Sequence, residues 1–232
     1  MSERRVRQLR RFGAEVVTIV VGILLALGAN ATYQYSADRA DERKILAALR
    51  VEFEADIVEI DADQKHRVEK LAAIQLLLDV GPGAAGGSSP QAFAAAVEAT
   101  IDYRFYTASH PVLDDVLTTG RIDLIRSDAV RQALMRFGAA RSRIGVVEQL
   151  EREFVSSRME PFVASRLDLA SLGAASPVPT PDAIEAVSVL CTDPHFRSLL
   201  FLDEKRTKSS HGFAELLRER VLEVQAALGP QG

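Results

Sequence analysis

The residues best suited to chemistry in this 232-residue chain are a histidine and the two aspartates that follow it. His110, Asp114 and Asp115 lie in the segment HPVLDDVLTTG, and residues four apart share one face of a helix. A histidine beside a carboxylate is the pairing used for general-base catalysis or metal binding. The same spacing suits a hydrogen bond at the start of a helix, and we expect that structural role.

A second pair, Cys191 and His195, is also four residues apart, as in an activated thiol. Pro194 lies between them and predicts that they belong to different helices. Because Cys191 is the only cysteine, an intramolecular disulfide is excluded. The apolar neighbours Leu190 and Phe196 predict a buried thiol. We therefore expect no nucleophile at this pair.

Four carboxylates, Glu52, Asp56, Glu59 and Asp63, recur at helical spacing and define what we name the acidic face. The pattern suits a cation or a basic partner, but we expect a solvated face balanced by nearby cations, which are Lys65, Arg67 and Lys70. The chain carries no H-E-x-x-H, G-x-S-x-G or phosphate-loop motif, and no repeated Glu-x-x-His pattern of a di-iron site. The sequence therefore predicts no catalytic residue, no cofactor and no metal, in a protein that is not an enzyme.

An apolar run, Phe12–Ala31, must position everything that follows it. Its length of about 20 residues matches the thickness of a membrane. The Ala29-Asn30-Ala31 triplet also fits the cleavage site of a signal peptide. Tyr33 and Tyr35 favour an uncleaved anchor, because aromatic side chains settle at the membrane interface.

Flanking charge predicts the topology. The residues before the run include five arginines, and the charges after it are balanced. The positive-inside rule then predicts a cytoplasmic basic tail (1–11), a transmembrane helix (12–35) and an extracytoplasmic domain (36–232). We expect a single-pass protein of a bacterial inner membrane with most of the chain in the periplasm.

One face of the predicted membrane helix carries small and polar residues. Its members are Glu15, Thr18, Gly22, Ala26 and Asn30. Small residues let helix backbones approach closely, and polar groups in a membrane favour protein partners. The stripe predicts contact with a partner helix.

The remainder of the chain predicts an all-α fold, an irregular helical bundle without strands. A helix over 36–80 carries an apolar stripe at spacings of three and four, which includes Leu49, Phe53, Ile60, Val68 and Ile74. Glycine- and proline-rich loops are expected at 81–88 and 173–181. The net charge of −4, and the more acidic balance beyond the basic tail, disfavour nucleic acid as a partner.

Several residues predict helix ends. Ser89, Ser109 and Ser127 are expected to cap helices, and Gly120 to end one in a left-handed conformation. Pro161 is expected to bend or end a long helix. A break is expected in the last helix near 209–212.

Two stretches resemble a family of uncharacterised bacterial single-pass membrane proteins. They are EVVTIVVGILLAL (15–27) and VLDDVLTTGRIDLI (112–125), the latter followed by the helix 127–137. Where the family often has Gln and Asn after Ala-Leu, this chain has Gly28 and Ala29. The resemblance implies a membrane helix near the amino terminus and a helical extracytoplasmic domain, and it implies no activity or catalytic residue.

These features predict a membrane-anchored accessory or scaffolding subunit. Its expected partners are the lipid bilayer and either other transmembrane proteins in a complex or further copies of itself. An extracytoplasmic sensor or ligand-binding module is the alternative. Only about 12 residues would face the cytoplasm in that case, so a signal would have to pass through a partner.

Overall fold

A computed structural model of the chain describes residues 3–79, 89–168 and 181–229. This part of the chain is all-helical, as the sequence predicts, and contains no strand. The α-helices are α1 (Glu3–Asp79), α2 (Pro90–Ile101), α3 (Pro111–Thr118), α4 (Asp128–Phe154), α5 (Glu160–Ala164), α6 (Pro181–Thr192) and α7 (Pro194–Leu228). A 3-10 turn, Arg121–Leu124, precedes α4, and a π turn, Val155–Met159, joins α4 to α5. The loop expected at 81–88 lies outside the described residues, as does all but the last residue of the loop expected at 173–181. That last residue, Pro181, begins α6.

Helix α1 is 77 residues long, which corresponds to about 115 Å at 1.5 Å per residue. Neither glycine nor proline occurs between Gly28 and its end. Side chains are described from Val21 onward, and those up to Arg39 are exposed. Among the described residues, no helix is both long enough and apolar enough to cross a membrane. From Glu42 onward, α1 is packed into the bundle.

Helix α7 runs antiparallel to α1 and packs along both α1 and α4. Near one end of the pair, the guanidinium of Arg50 donates to the carbonyl oxygen of Leu228 at 2.6 Å. Near the other end, Arg197 donates to the carbonyl oxygen of Leu78 at 2.9 Å. These two bonds fix the relative register of α1 and α7 over the length of the bundle.

The bundle contains two apolar clusters separated along its axis by polar residues. One cluster includes Leu49, Phe53, Phe137, Leu217 and Val221. The other includes Ile74, Leu77, Phe154, Phe196 and Leu200.

The predicted apolar stripe of α1 is confirmed at most of its inward positions. Leu49, Phe53, Ile60 and Ile74 are buried. The prediction of burial is wrong at Val68, whose side chain is 53% exposed. The neighbouring Arg67 and Lys70 hold the inward positions instead, and both are buried.

Two of the three expected serine caps are confirmed. The Ser89 hydroxyl accepts from the amide of Ala92 at 3.2 Å, and the Ser127 hydroxyl accepts from the amide of Val130 at 3.4 Å. The cap expected at Ser109 is wrong, because α3 begins one residue later, with His110 at its N-cap. The side chain of His110 makes no capping bond there.

Pro161 does not end the helix that contains it. The helical backbone continues from α4 through the π turn into α5 and ends at Ala164. Pro161 lies in the first turn of α5. A proline is tolerated there because the first turn of a helix needs no N–H from that position, and the π turn supplies the local rearrangement. The break expected near Ser209–Gly212 is wrong, since α7 is continuous from Pro194 to Leu228.

Candidate functional site on the acidic face of the long helix

The acidic face of α1 binds the chain that connects α2 to α3. The extended residues 102–110, which we name the crossing segment, pass directly over it. Glu59 accepts hydrogen bonds from the amide nitrogen of Thr107, at 3.0 Å, and from its hydroxyl. Glu52 accepts from the amides of Val112 and Leu113, at 2.7 and 3.2 Å. Glu52 thereby caps the first turn of α3, where carboxylates are favoured.

The expected solvated face is therefore wrong. Asp56 and Asp63 are each 1% exposed. Glu59 is half-buried beneath the crossing segment, and Glu52 is half-buried beneath the first turn of α3. Lys65 is exposed and pairs with Glu69 rather than with the acidic face. An extended segment has unpaired backbone amides, and carboxylates on a neighbouring helix satisfy them.

A buried Asp-His pair lies at the centre of this face. Nε2 of His110 lies 2.8 Å from Oδ2 of Asp56, and the hydroxyl oxygen of Tyr106 lies 3.3 Å from the same nitrogen. A carboxylate only accepts, so Nε2 carries the proton that it donates to Asp56. The imidazole packs on the rings of Phe53 and Phe137, with centroids at 5.4 and 5.0 Å. Burial, followed by the nearby Asp56 carboxylate, raises the pKa of Tyr106, which keeps its phenol neutral.

The other nitrogen of this ring has no described partner. Nδ1 of His110 is buried and makes no hydrogen bond among the described residues. In a neutral ring protonated on Nε2, Nδ1 is an acceptor. A buried acceptor without a donor costs free energy unless something binds there.

A second polar feature, which we name the charged layer, separates the two apolar clusters. Arg67 is at its centre and donates to Asp63 at 2.9 Å, Glu148 at 2.9 Å and Glu151 at 3.0 Å. Its guanidinium also donates to the hydroxyl of Ser210. The charged layer consists of Asp63, Arg67, Lys70, Glu148, Glu151 and Asp203.

Lys70 completes the charged layer on the side of α7. Its Nζ lies 3.4 Å from Asp203 and 3.6 Å from Glu151. Neither carboxyl oxygen of Asp203 accepts a hydrogen bond among the described residues. Four carboxyl groups therefore share two cations in a buried layer, which favours the protonated form of some of them.

The pKa values of the layer follow from this imbalance. Burial raises the pKa of Glu148 to about 7 and that of Asp203 to about 6, against the opposing effect of the neighbouring cations. Burial also raises the pKa of Asp63, although Arg67 acts in the opposite direction. The raised pKa values of Glu148 and Asp203 therefore place two buried carboxyl groups of the charged layer close to titration near neutral pH.

Glu148 connects the charged layer with the crossing segment. One oxygen, Oε1, accepts both from Arg67 and from the amide of Tyr106, the latter at 3.1 Å. Both partners are donors, so this carboxyl is held from two sides. A change in its protonation therefore acts on the helix packing and on the crossing segment together.

A cavity of about 470 Å³ opens beside these groups, a volume within the range of small-molecule sites. The crossing segment forms one wall, and α3 and α4 form the others. The lining includes Tyr106, His110, Asp114, Arg141, Gly145 and Glu148. Arg141 donates to Asp114 at 2.6 Å on the cavity wall. Among the described residues, no group of three or more His, Cys, Asp or Glu side chains is arranged to hold a metal ion.

His110 does not pair with either of the two aspartates that follow it in the sequence. The carboxylate partner of His110 is Asp56, whereas Asp114 pairs with Arg141 and Asp115 with Arg121. Neither aspartate of α3 forms a bond with the imidazole.

The thiol of Cys191 is not suited to nucleophilic attack. It is buried, and burial raises its pKa to about 11, away from the thiolate that a nucleophile requires. The ring of His195 is exposed and lies against Phe162 at 4.8 Å between centroids. The two residues belong to α6 and α7, as Pro194 predicts.

The residues predicted to contact a partner helix lie at the start of α1. Gly22, Ala26 and Asn30 are exposed, and no described residue packs on Gly22. The side chains of Glu15 and Thr18 lie outside the described part of the chain. Gly120 follows α3 with φ 74° and ψ 8°, a left-handed conformation that glycine adopts without strain.

The sequence did not reveal the charged layer or most of the cavity. The charged layer could have been found from the helical spacing alone. Inward positions recur every three or four residues from Ile60 through Asp63, Arg67 and Lys70 to Ile74, and the three middle positions are charged. Comparison with protein families, with curated proteins and with solved structures finds no match to this chain.

Proposed function

We propose that the chain is an accessory or scaffolding subunit anchored in a membrane by Phe12–Ala31 and assembling there with other transmembrane proteins. The observation that carries the proposal is an exposed apolar segment at the start of α1. Leu24, Leu25 and Leu27 are each more than 60% exposed. Consecutive exposed leucines are unfavourable in water, so this segment needs lipid or a partner.

The continuity of α1 supports a mechanical connection between the anchor and the domain. The apolar segment and the acidic face belong to one helix with no break among its described residues. A partner that holds the anchor therefore orients the bundle as well. The basic tail before Phe12 favours a cytoplasmic amino terminus, which would place the bundle outside the cytoplasmic membrane.

A contact surface for the partner follows one side of α1. The predicted stripe contains Gly22 and Ala26, and the Cβ position at Gly22 is unobstructed. Val51 and Val58 lie about eight and ten turns further along, on the same side of an ideal helix. Both valines are exposed, Val58 by 74%. A helix packed on Gly22 would therefore also meet apolar side chains outside the membrane.

The anchor is tested first, by extracting membranes that contain the full chain with alkaline carbonate. An anchored chain stays with the membrane pellet. Recovery of the folded chain in the supernatant would contradict the anchor, and with it the proposed function.

Assembly is tested with two glycine variants of the full chain, extracted in mild detergent and purified with their partners. Gly22→Leu is expected to insert normally and to lose co-purifying partners, because leucine blocks close helix approach. Gly28→Leu is the matched control, since Gly28 lies about 120° around the helix and is equally unobstructed. Equal co-purification by both variants and the unchanged chain would show that the stripe does not mediate assembly.

A further inference from the structure

We propose that Arg39 and Arg126 bind the phosphate group of a membrane phospholipid at the level where α1 leaves the bilayer. This inference rests on the proposed function, because it takes Phe12–Ala31 as the membrane anchor. Three observations carry it: a contact between the bundle and α1 just beyond the apolar run, the depth of that contact in a bilayer, and two exposed guanidinium groups held beside it.

Arg126 connects the turn before α4 to the exposed part of α1. Its Nη1 donates to the hydroxyl oxygen of Tyr35 at 2.9 Å, and its guanidinium carbon lies 4.3 Å from the centroid of the Tyr35 ring. Tyr35 is 55% exposed, and the side chain of Arg126 is 42% exposed. A molecule outside the bundle can therefore reach this pair.

The geometry of the helix gives the depth of this contact. Tyr35 follows the last residue of the apolar run, Ala31, by about 6 Å along the axis at 1.5 Å per residue. The polar headgroup region on each side of a bilayer is about 5–7 Å thick. Side chains on a helix lean toward its amino terminus, so the phenol and the guanidinium stacked on it lie within the headgroup region. Tyrosine side chains favour that level.

A buried carboxylate holds both arginines in place. Glu42 is 5% exposed, and it accepts from Nη1 of Arg39 at 2.9 Å and from the backbone amide of Arg126 at 2.8 Å. Arg39 comes one turn after Tyr35, so the two side chains share a face of α1. The guanidinium groups therefore approach the phenol from two directions, one from α1 and one from the turn before α4.

The two guanidinium groups have donors to offer a ligand. Each has five N–H donors in a planar fork that matches the geometry of a phosphate group. Arg39 directs Nη1 to Glu42, and Arg126 directs Nη1 to Tyr35. Both side chains are about half exposed, so other N–H groups of each fork face solvent or lipid. A phosphate group placed between the forks accepts charge-assisted hydrogen bonds from both.

Hydrogen bonding, rather than net charge, selects the ligand. Three basic residues between positions 36 and 44 are balanced by three acidic ones, and this surface has no excess positive charge to attract an anionic membrane from a distance. The six residues are Asp38, Arg39, Asp41, Glu42, Arg43 and Lys44. A zwitterionic phospholipid therefore fits as well as an anionic one, whereas a lipid without phosphate does not fit.

The binding experiment uses the full chain in mild detergent and measures retained lipid by native mass spectrometry. The probe is dioleoylphosphatidylcholine, and dioleoylglycerol, which has the same acyl chains without the phosphate, is the control lipid. The unchanged chain is expected to retain the phospholipid about tenfold more than the control lipid, since charge-assisted hydrogen bonds are among the strongest in proteins.

The variants assign the binding to this site. Arg126→Gln is expected to lower the retention of phosphatidylcholine about tenfold, because one charged fork is lost. Arg143→Gln, which changes an exposed arginine of α4, is the matched control and is expected to bind as the unchanged chain does. Circular dichroism confirms that both variants are folded.

A single tryptophan reports the depth of the site. The chain contains no tryptophan, and Tyr33 is 74% exposed beside Tyr35, so Tyr33→Trp introduces one reporter at this level. The full chain carrying this change is placed in phosphatidylcholine vesicles. A nitroxide on the lipid headgroup is expected to quench the fluorescence more strongly than a nitroxide near the end of an acyl chain.

Four results would overturn the proposal. Two concern retention: equal retention of phosphatidylcholine by Arg126→Gln and the unchanged chain, or equal retention of the two lipids. A third is a tryptophan that the headgroup nitroxide quenches no more than the acyl-chain nitroxide does. The fourth is a saturable rise in Tm when inorganic phosphate is added to the lipid-free chain, which would assign the site to a free anion.

The outcome is separable from that of the proposed function. Each of the four results can be obtained with a chain that stays in the membrane pellet after carbonate extraction, and the anchor then holds while the phospholipid site fails. A chain released into the supernatant contradicts both.

Discussion

The imidazole of His110 and the carboxylate of Asp56 form a buried pair, 2.8 Å apart, between residues 54 positions apart in the chain. Asp56 belongs to α1, whereas His110 ends the crossing segment and starts α3. The pair therefore fixes the crossing segment to the long helix. It also fixes the tautomer of the ring, because Nε2 is the donor to Asp56, while Nδ1 is buried without a hydrogen-bond partner among the described residues.

Removal of Asp56 is predicted to destabilise the chain. In Asp56→Ala, the buried imidazole of His110 loses the carboxylate to which it donates, and we expect the free energy of unfolding to fall by about 1–3 kcal/mol. Urea denaturation followed by circular dichroism measures the change. Asp61→Ala is the control, because Asp61 is exposed and pairs with Arg218 at the surface. An equal loss in the two variants would show that the buried pair adds no stability.

Replacement of Arg67 is predicted to have a larger effect. Arg67→Met keeps an unbranched apolar stem but leaves Asp63, Glu148 and Glu151 without their shared cation. Removal of one partner from a buried ionic network costs about 3–5 kcal/mol. The same denaturation experiment measures the loss. Arg136→Met, at an exposed ion pair of α4, is expected to change little. A stability of Arg67→Met equal to that control would contradict the role of the charged layer.

The charged layer also predicts how stability depends on pH. Burial raises the pKa of Glu148 from an ordinary value of 4.5 to about 7, and that of Asp203 from 3.8 to about 6. At a pH between the ordinary pKa and the raised pKa of each carboxyl group, the folded chain binds more protons at that group than the unfolded chain does. Their contribution to stability therefore decreases as the pH rises from about 4 to about 7.

A neutral amide at position 148 isolates this contribution. Glu148→Gln cannot titrate, so its unfolding free energy is expected to fall less steeply between pH 4 and pH 7 than that of the unchanged chain. Denaturation at several pH values gives the two slopes. Glu160→Gln changes an exposed carboxyl and serves as the control. If Glu148→Gln and the unchanged chain have the same slope, Glu148 titrates alike in the folded and unfolded states.

The cap that α1 supplies to α3 gives a local prediction. Glu52→Ala removes the acceptor for the amides of Val112 and Leu113, and we expect a loss of about 1 kcal/mol, typical of a lost helix cap. Hydrogen exchange is expected to accelerate at these two amides. Glu69→Ala, which removes an exposed carboxylate of the same helix, is expected to leave their exchange unchanged. Unaltered exchange in Glu52→Ala would mean that α3 does not depend on this cap.

The amino-acid sequence by itself predicts the helices with good accuracy. The long helix over 36–80, the Ser89 and Ser127 caps and the helix that begins at Pro194 follow from spacing and from local capping chemistry. These features depend on neighbours within about four residues, so the signal lies in a short stretch of sequence. The expected break near Ser209–Gly212 fails because packing against α1 and α4 outweighs the weak helix propensity of serine and glycine.

The burial of the acidic face could not be predicted from the local sequence. A stretch of Glu and Asp on one side of a helix predicts exposure, because isolated charges are rarely buried. Here the crossing segment supplies a backbone donor to Glu59, and the first turn of α3 supplies two to Glu52. His110 supplies a ring N–H to Asp56. These donors lie 48–61 positions away in the chain, so no local pattern identifies them.

The charged layer depends even more on the tertiary structure. Arg67 meets Glu148 and Glu151 from α4 and Ser210 from α7, at separations of 81, 84 and 143 residues. The sequence determined which faces of the helices repeat at spacings of three and four, because that period is intrinsic to the helix. Only the three-dimensional packing decided which charged residues on those faces would neutralise one another. Whether a buried charge is tolerated depends on partners that folding brings within about 3 Å.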